Sequence, residues 1–149
     1  MEDQAEQYFN KGLDLLKHGQ YTEAIASYDQ AIAIKPDYAV ACIHRGIALS
    51  KLGFYKEAIG SFDQAIVIKV NYALAWNNRG IALNGLFRYT DAIGSYDQAI
   101  AIKPDYANAW FNRGNTLYDL GRYSEADASY DKAIAINPDY AYAKKYREK

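Results

Sequence analysis

Residues 107–140 read ANAWFNRGNTLYDLGRYSEADASYDKAIAINPDY, and this stretch decides the fold because it describes two successive helices. Its first half places small and apolar side chains at spacings of three and four, one face of a helix: Ala107, Trp110, Gly114 and Leu117. Gly121 then provides a left-handed stop. A second apolar face follows in residues 123–134, and Asn137-Pro138 ends that helix.

The same pattern recurs every 34 residues along the chain. One small-residue column consists of Gly12, Gly46, Gly80 and Gly114. One aromatic column consists of Tyr28, Phe62, Tyr96 and Tyr130. Eleven of the 15 tyrosines fall in such columns, so they belong to the repeat and do not indicate a base-stacking platform for nucleic acid.

These columns resemble the tetratricopeptide repeat. The residues of the last repeat that match the family pattern are Trp110, Gly114, Leu117, Gly121, Tyr123, Ala126, Tyr130, Ala133 and Pro138. The resemblance covers repeats at about 5–38, 39–72, 73–106 and 107–140, followed by a terminal helix at 141–149 that either caps the array or begins a further repeat. It implies a single all-α domain over 1–149, a right-handed superhelical α-solenoid of antiparallel helix pairs. In that fold the first helices line a concave groove and the second helices form the convex back.

Three residues depart from the columns. Phe87 stands where the other repeats carry glycine, and a phenylalanine with positive φ would be strained, so we expect this turn to be built differently. Val70 replaces a proline, which predicts a looser link between the second and third repeats. Cys42 occupies an aromatic core position, so we expect it to be buried.

The sequence carries no motif of an enzyme. It lacks a phosphate-binding loop, a dinucleotide fingerprint, a zinc-protease helix and a nucleophile elbow. Cys42 and His44 are two residues apart on one helix and point to different faces, so they cannot form a nucleophile–base pair, and His18 is expected to cap a helix end. We therefore expect no catalytic residues, no metal site and no cofactor.

Composition bears on the partners and on the compartment. The 149 residues carry a formal net charge of −1 with both signs interleaved, so no global field would attract nucleic acid or an anionic membrane. No apolar stretch reaches the length of a membrane span, and the acidic N-terminus is unlike a signal peptide. One cysteine excludes an internal disulfide framework, which makes the cytoplasm the default localisation.

A column of aspartates is followed sixteen residues later by a column of arginines, at a position where the family pattern expects leucine. We interpret these columns as a structural ion-pair ladder between consecutive repeats, because the guanidinium can form a bidentate pair with a carboxylate. The predicted pairs are Asp29–Arg45, Asp63–Arg79, Asp97–Arg113 and Asp131–Arg147. Capture of an anionic ligand by the arginines is the alternative interpretation.

The resemblance also implies which residues face a ligand. Asn10, His44, Asn78 and Asn112 form a column similar to the asparagine ladder of the O-linked N-acetylglucosamine transferase repeats, and an amide can pair with the backbone of an extended peptide. The predicted groove adds six neighbours: Asn77, Ile81, Asn108, Phe111, Asn115 and Tyr118. The clamp with which some members hold a chaperone C-terminal tail is absent, since its places carry residues such as Phe9, Leu13 and Leu74.

These observations favour a non-enzymatic protein–protein interaction scaffold that binds an extended or helical segment in its concave groove. Two other functions stay open. The chain could be a self-assembling module whose ends join copies end to end, or the targeting domain of a larger enzyme.

Overall fold

A computed structural model describes residues 3–142 and residue 144 of the chain. Within these residues, eight α-helices are followed by a short 3₁₀ turn at Pro138–Tyr140. The helices are α1 Gln4–Lys17, α2 Tyr21–Ile34, α3 Ala39–Lys51, α4 Tyr55–Ile68, α5 Ala73–Gly85, α6 Tyr89–Ile102, α7 Ala107–Asp119 and α8 Tyr123–Ile136. Most of the terminal helix expected at 141–149, including Arg147, lies outside the described residues.

The predicted all-α architecture is confirmed: the helices form a right-handed solenoid of antiparallel pairs. Each odd-numbered helix packs on the even-numbered helix that follows it, and each even-numbered helix packs on the next odd-numbered one. Neighbouring odd-numbered helices also touch one another, whereas the even-numbered helices of the described chain do not pack together to that extent. The odd-numbered helices therefore line the inner face of the solenoid.

Within each pair, a glycine of the first helix packs directly on an aromatic ring of the second. A Cβ added to Gly80 would stand 2.5 Å from Cε1 of Tyr96, and the other three pairs repeat this contact: Gly12–Tyr28, Gly46–Phe62 and Gly114–Tyr130. The aromatic rings are almost fully buried, and alanines with no exposed surface pack around them. The glycine column is thus required because any side chain would push the two helices apart.

The turn at Phe87 corrects one expectation. Phe87 adopts φ 61°, close to the φ of 76°, 82° and 78° at Gly19, Gly53 and Gly121. Its N–H donates to the Asn84 carbonyl at 2.9 Å, and Arg88 N–H donates to the Leu83 carbonyl at 2.9 Å, as at the other three turns. The turn is therefore built in the same way, because its backbone hydrogen bonds hold the phenylalanine in the left-handed region.

Two other expectations are confirmed. Cys42 has no exposed surface, and His18 is the C-cap residue of α1, with Nδ1 at 2.8 Å from the Asp14 carbonyl. The link at Val70 keeps one contact found at a proline link. Trp76 Nε1 donates to the Val70 carbonyl at 2.8 Å, as Trp110 Nε1 does to the Pro104 carbonyl at 2.9 Å. The looser link therefore stays a prediction.

The glycine–aromatic contact can be tested with a matched pair of substitutions. Gly80→Ala should lower the free energy of unfolding by about 2 kcal/mol, because the buried Tyr96 ring must move. Gly94→Ala should raise it by about 1 kcal/mol, because Gly94 is exposed in the middle of α6 and a Cβ there meets no atom within 4 Å. Urea unfolding followed by circular dichroism measures both, and equal stabilities would contradict the packing argument.

Candidate functional site

The inner face is the surface of α1, α3, α5 and α7 on the side away from the even-numbered helices. Its centre is a pocket of about 340 Å³, which we call the middle pocket. The pocket lies between α3 and α5, at the C-terminal ends of both helices. It is lined by Ile47, Ser50, Lys51, Tyr55, Asn78, Ile81, Asn84 and Gly85.

The apolar walls of the middle pocket are Ile47, Ile81 and the ring of Tyr55. Gly85 opens the pocket, because a Cβ at this position would lie 2.6 Å from Cζ of Tyr55. The corresponding residues of the other repeats have side chains: Lys17, Lys51 and Asp119. The absence of a side chain at Gly85 is therefore the sequence signal for this pocket.

The polar groups of the middle pocket are partly engaged. Asn78 Nδ2 donates to the Leu74 carbonyl at 2.9 Å, so its Oδ1 remains to accept from a ligand. Asn84 Oδ1 accepts from Thr116 Oγ1 at 3.0 Å, so its Nδ2 remains to donate. Ser50 Oγ is buried and has no hydrogen-bond partner. The pocket thus offers an acceptor and a donor beside its apolar walls.

Three of the predicted groove asparagines form a network between α5 and α7. Asn112 Nδ2 donates to Asn108 Oδ1 at 2.9 Å and to Asn77 Oδ1 at 3.2 Å. Asn77 Nδ2 donates to Asn108 Oδ1 at 3.2 Å and to the Tyr106 hydroxyl at 3.4 Å. Asn108 Nδ2 donates to the Tyr140 hydroxyl at 3.2 Å. Asn77 is only 3% exposed, so this residue joins repeats and is hardly accessible to a ligand.

The remaining predicted residues of α7 lie beside this network and also contact the protein itself. Asn115 Oδ1 accepts from the Tyr130 hydroxyl at 2.6 Å. The Phe111 ring lies 4.8 Å from the Tyr140 ring and 6.0 Å from the Tyr130 ring, and Tyr118 meets Tyr123 edge to face at 4.7 Å. This part of the inner face is therefore largely filled by its own side chains.

The N-terminal part of the inner face is aromatic. His44 Nδ1 is 2.9 Å from the Val40 carbonyl, and its ring meets the Phe9 ring edge to face at 5.5 Å. Asn10 lies on α1, the helix next to α3 on the inner face, and is exposed. The ten predicted groove residues thus divide into Asn78 and Ile81 at the middle pocket, the α5–α7 group, and the pair Asn10 and His44. Sequence reasoning missed Tyr55, which comes from a second helix.

The structure brings three of the predicted ladder pairs together. Arginine Nε donates to aspartate Oδ1 at 2.6 Å in Arg45–Asp29 and at 2.8 Å in Arg79–Asp63 and Arg113–Asp97. Each Nη1 also donates to a serine hydroxyl that sequence reasoning missed: Ser61, Ser95 and Ser129. Asp131 is 2.8 Å from Nζ of Lys144, and its predicted partner Arg147 lies outside the described residues.

The titratable core groups show no sign of activation. Burial raises the pKa of the Cys42 thiol, an effect that the charge of Arg45 partly offsets. Burial also raises the pKa of Tyr28 to about 12. A thiol with a raised pKa is a poor nucleophile at neutral pH. Over residues 3–142, the His, Cys, Asp and Glu side chains form no group of three that could hold a metal ion.

None of the helices in the described part of the chain combines the length and the apolar character that crossing a bilayer requires.

Comparison with known families decides the identity. The model of the tetratricopeptide repeat matches residues 107–140, and a second model of the repeat matches residues 12–53 and 88–121. The chain belongs to the tetratricopeptide repeat (TPR) family. TPR proteins act as scaffolds that bind protein or peptide partners, and they are generally not catalytic.

Solved structures with the same fold are numerous. A thermophilic TPR protein of Thermus thermophilus superposes with a TM-score of 0.82 at 21% identity over 90% of this chain and 75% of that one. MamA of Desulfovibrio magneticus RS-1 gives 0.81 at 24% identity over 94% and 81%. The first TPR domain of Spaghetti (RPAP3), bound to the HSP90 peptide SRMEEVD, gives 0.76 at 24% over 78% and 93%. At these identities the likeness establishes the fold alone. No curated protein sequence matches significantly.

Two adjacent asparagines test the division between structural and accessible amides. Asn77→Ala should lower the free energy of unfolding by about 1–3 kcal/mol, because it leaves polar groups of a half-buried network without a partner. Asn78→Ala should change it by less than about 0.5 kcal/mol, because only an intrahelical side-chain bond is lost. Equal destabilisation by the two substitutions, measured by urea unfolding, would contradict this division.

Proposed function

We propose that the chain binds an extended segment of a partner protein along the inner face and holds one apolar side chain of that segment in the middle pocket. The observation that carries the proposal is the composition of this pocket. Its walls are Ile47, Ile81 and Tyr55, and its rim offers Asn78 Oδ1 and Asn84 Nδ2, the halves of the two amides that remain for a ligand. A side chain in such a pocket gains from burial while the neighbouring backbone gains hydrogen bonds.

The polar groups favour an extended backbone as the ligand. An extended peptide presents N–H and C=O groups that no secondary structure has satisfied. Asn78 Oδ1 can accept from such an N–H, and Asn84 Nδ2 can donate to such a C=O.

The same surface disfavours a chaperone tail. The HSP90 peptide SRMEEVD of the Spaghetti (RPAP3) complex carries several carboxylates, which need basic partners to bind. The middle pocket contributes one such partner, Lys51, and the corresponding positions in α5 and α7 hold Gly85 and Asp119. The peptide SRMEEVD therefore serves as a negative control for the experiment below.

The test selects linear peptides from a random displayed library on the wild-type chain and titrates them against single variants. Ile81→Lys should weaken binding about tenfold or more, because it replaces an apolar wall that contributes roughly 1.5–3 kcal/mol. Asn78→Ala should weaken it about threefold to tenfold, because one hydrogen bond is lost. Fluorescence anisotropy gives the dissociation constants, and peptides should bind in the micromolar range.

Val67→Lys is the matched control, since Val67 is an 87% exposed aliphatic residue on α4, outside the inner face. Peptides that bind Val67→Lys more weakly and Ile81→Lys unchanged would place the ligand on the convex side and overturn the proposal. Failure to select any peptide would do the same, as would tight binding of SRMEEVD.

A further inference from the structure

The contact that joins one repeat to the next has the same three components at each junction. The second helix presents an isoleucine, an aspartate four residues later and an isoleucine three residues after that, as in Ile25, Asp29 and Ile32. The isoleucines pack on the core of the following pair, and the aspartate meets an arginine. This contact leaves the leucines of the following first helices 0–3% exposed: Leu49, Leu83 and Leu117.

At the N-terminal end of the solenoid, α1 carries the positions that contact a preceding second helix in the later repeats, and no described helix lies on them. We call this surface the N-terminal face. Tyr8, Lys11 and Leu15 occupy the columns of Cys42, Arg45 and Leu49 on the same side of the first helix. Together with residues of α2, including Glu23 and Ser27, they line a pocket of about 300 Å³. Leu15 is only partly buried, unlike its three counterparts.

The charges of the N-terminal face define what could cover it. Lys11 replaces the arginine of the other repeats, and it forms no ion pair within the described residues. Glu23 lies at the rim of the same pocket, so an acid of the partner has to approach on the Lys11 side. The aspartates of the internal junctions approach the corresponding arginines in this position, at 2.6–2.8 Å.

A second copy of the chain does not supply a helix that matches this contact. Its α8 is the one second helix that no described repeat follows, but Asp131 of this helix already pairs with Lys144. Asp127 moreover stands where the other second helices carry isoleucine. Two N-terminal faces placed against each other would not form this contact either, because neither face carries the isoleucine–aspartate–isoleucine pattern.

We propose that the N-terminal face binds an amphipathic α-helix of a partner protein. In this helix an acidic residue comes four positions after one branched aliphatic residue and three positions before a second one. The partner helix lies on α1 as α2 lies on α3. Its aliphatic residues cover Tyr8 and Leu15, and its carboxylate pairs with Lys11. This site is separate from the inner face, so a helix and an extended peptide can be bound together.

The test uses the full chain and a synthetic helix with the sequence of residues 89–102, stapled at outward-facing positions. This helix carries the required pattern as Ile93, Asp97 and Ile100. We expect saturable binding with a dissociation constant below about 1 mM. Lys11→Glu in the chain should weaken binding about tenfold, and so should Asp97→Lys in the peptide. The two changes combined should restore most of the affinity, whereas Lys17→Glu, elsewhere on α1, should have no effect.

Absence of saturable binding would overturn the proposal. Binding that is insensitive to Lys11→Glu, or that Ile81→Lys weakens instead, would overturn it as well, because the helix would then lie elsewhere. The molar mass of the chain without any peptide can also be measured. A molar mass that rises with concentration, and that returns to the monomer value in the Lys11→Glu variant, would overturn the proposal too, because it would identify a second copy as the occupant. Because none of these outcomes involves the selected linear peptides, they leave the function proposed for the inner face untouched.

Discussion

The arginine at each repeat junction is the polar contact that joins three successive helices of the solenoid. Arg79 of α5 donates through Nε to Asp63 of the preceding α4 and through Nη1 to Ser95 of the following α6. Because the guanidinium is planar and its donors are fixed in direction, these two bonds constrain how α4 lies against the pair α5 and α6. The arrangement of these repeats places α3 beside α5, and the middle pocket lies between them.

The candidate functions of the two surfaces both come from departures from the repeat pattern. The repeated columns build a regular scaffold, and a fully regular scaffold would offer the same surface at each repeat. Gly85 replaces a longer side chain and opens the middle pocket. Lys11 stands in the arginine column and has no carboxylate partner among the described residues. A specific partner would recognise such positions, because the other repeats do not copy them.

The repeat columns predicted the fold, because a period of 34 residues with glycine, alanine and aromatic positions leaves few arrangements of helices. The candidate site was harder to predict. Asn77 and Asn78 are the same residue type and neighbours in sequence, yet only Asn77 is buried. One residue turns a helix by about 100°, so the depth of each amide depends on the packing of the next repeat. Ser95 and its equivalents Ser61 and Ser129 did carry a signal, because they recur every 34 residues beside the aromatic column, but a recurring serine does not by itself reveal its arginine partner.

A double-mutant cycle on Asp63 and Arg79 tests most directly whether the arginine junction couples consecutive repeats. Urea unfolding of Asp63→Ala, Arg79→Ala and the double variant gives the coupling energy. The side chain of Arg79 is 27% exposed and that of Asp63 is 50% exposed, so we expect a coupling of about 1 kcal/mol. The Arg88–Asp91 pair within one repeat, with 58% and 54% exposure, should give less than about 0.5 kcal/mol. Equal coupling energies in the two cycles would show that the junction arginine couples the repeats no more than an ordinary surface pair does.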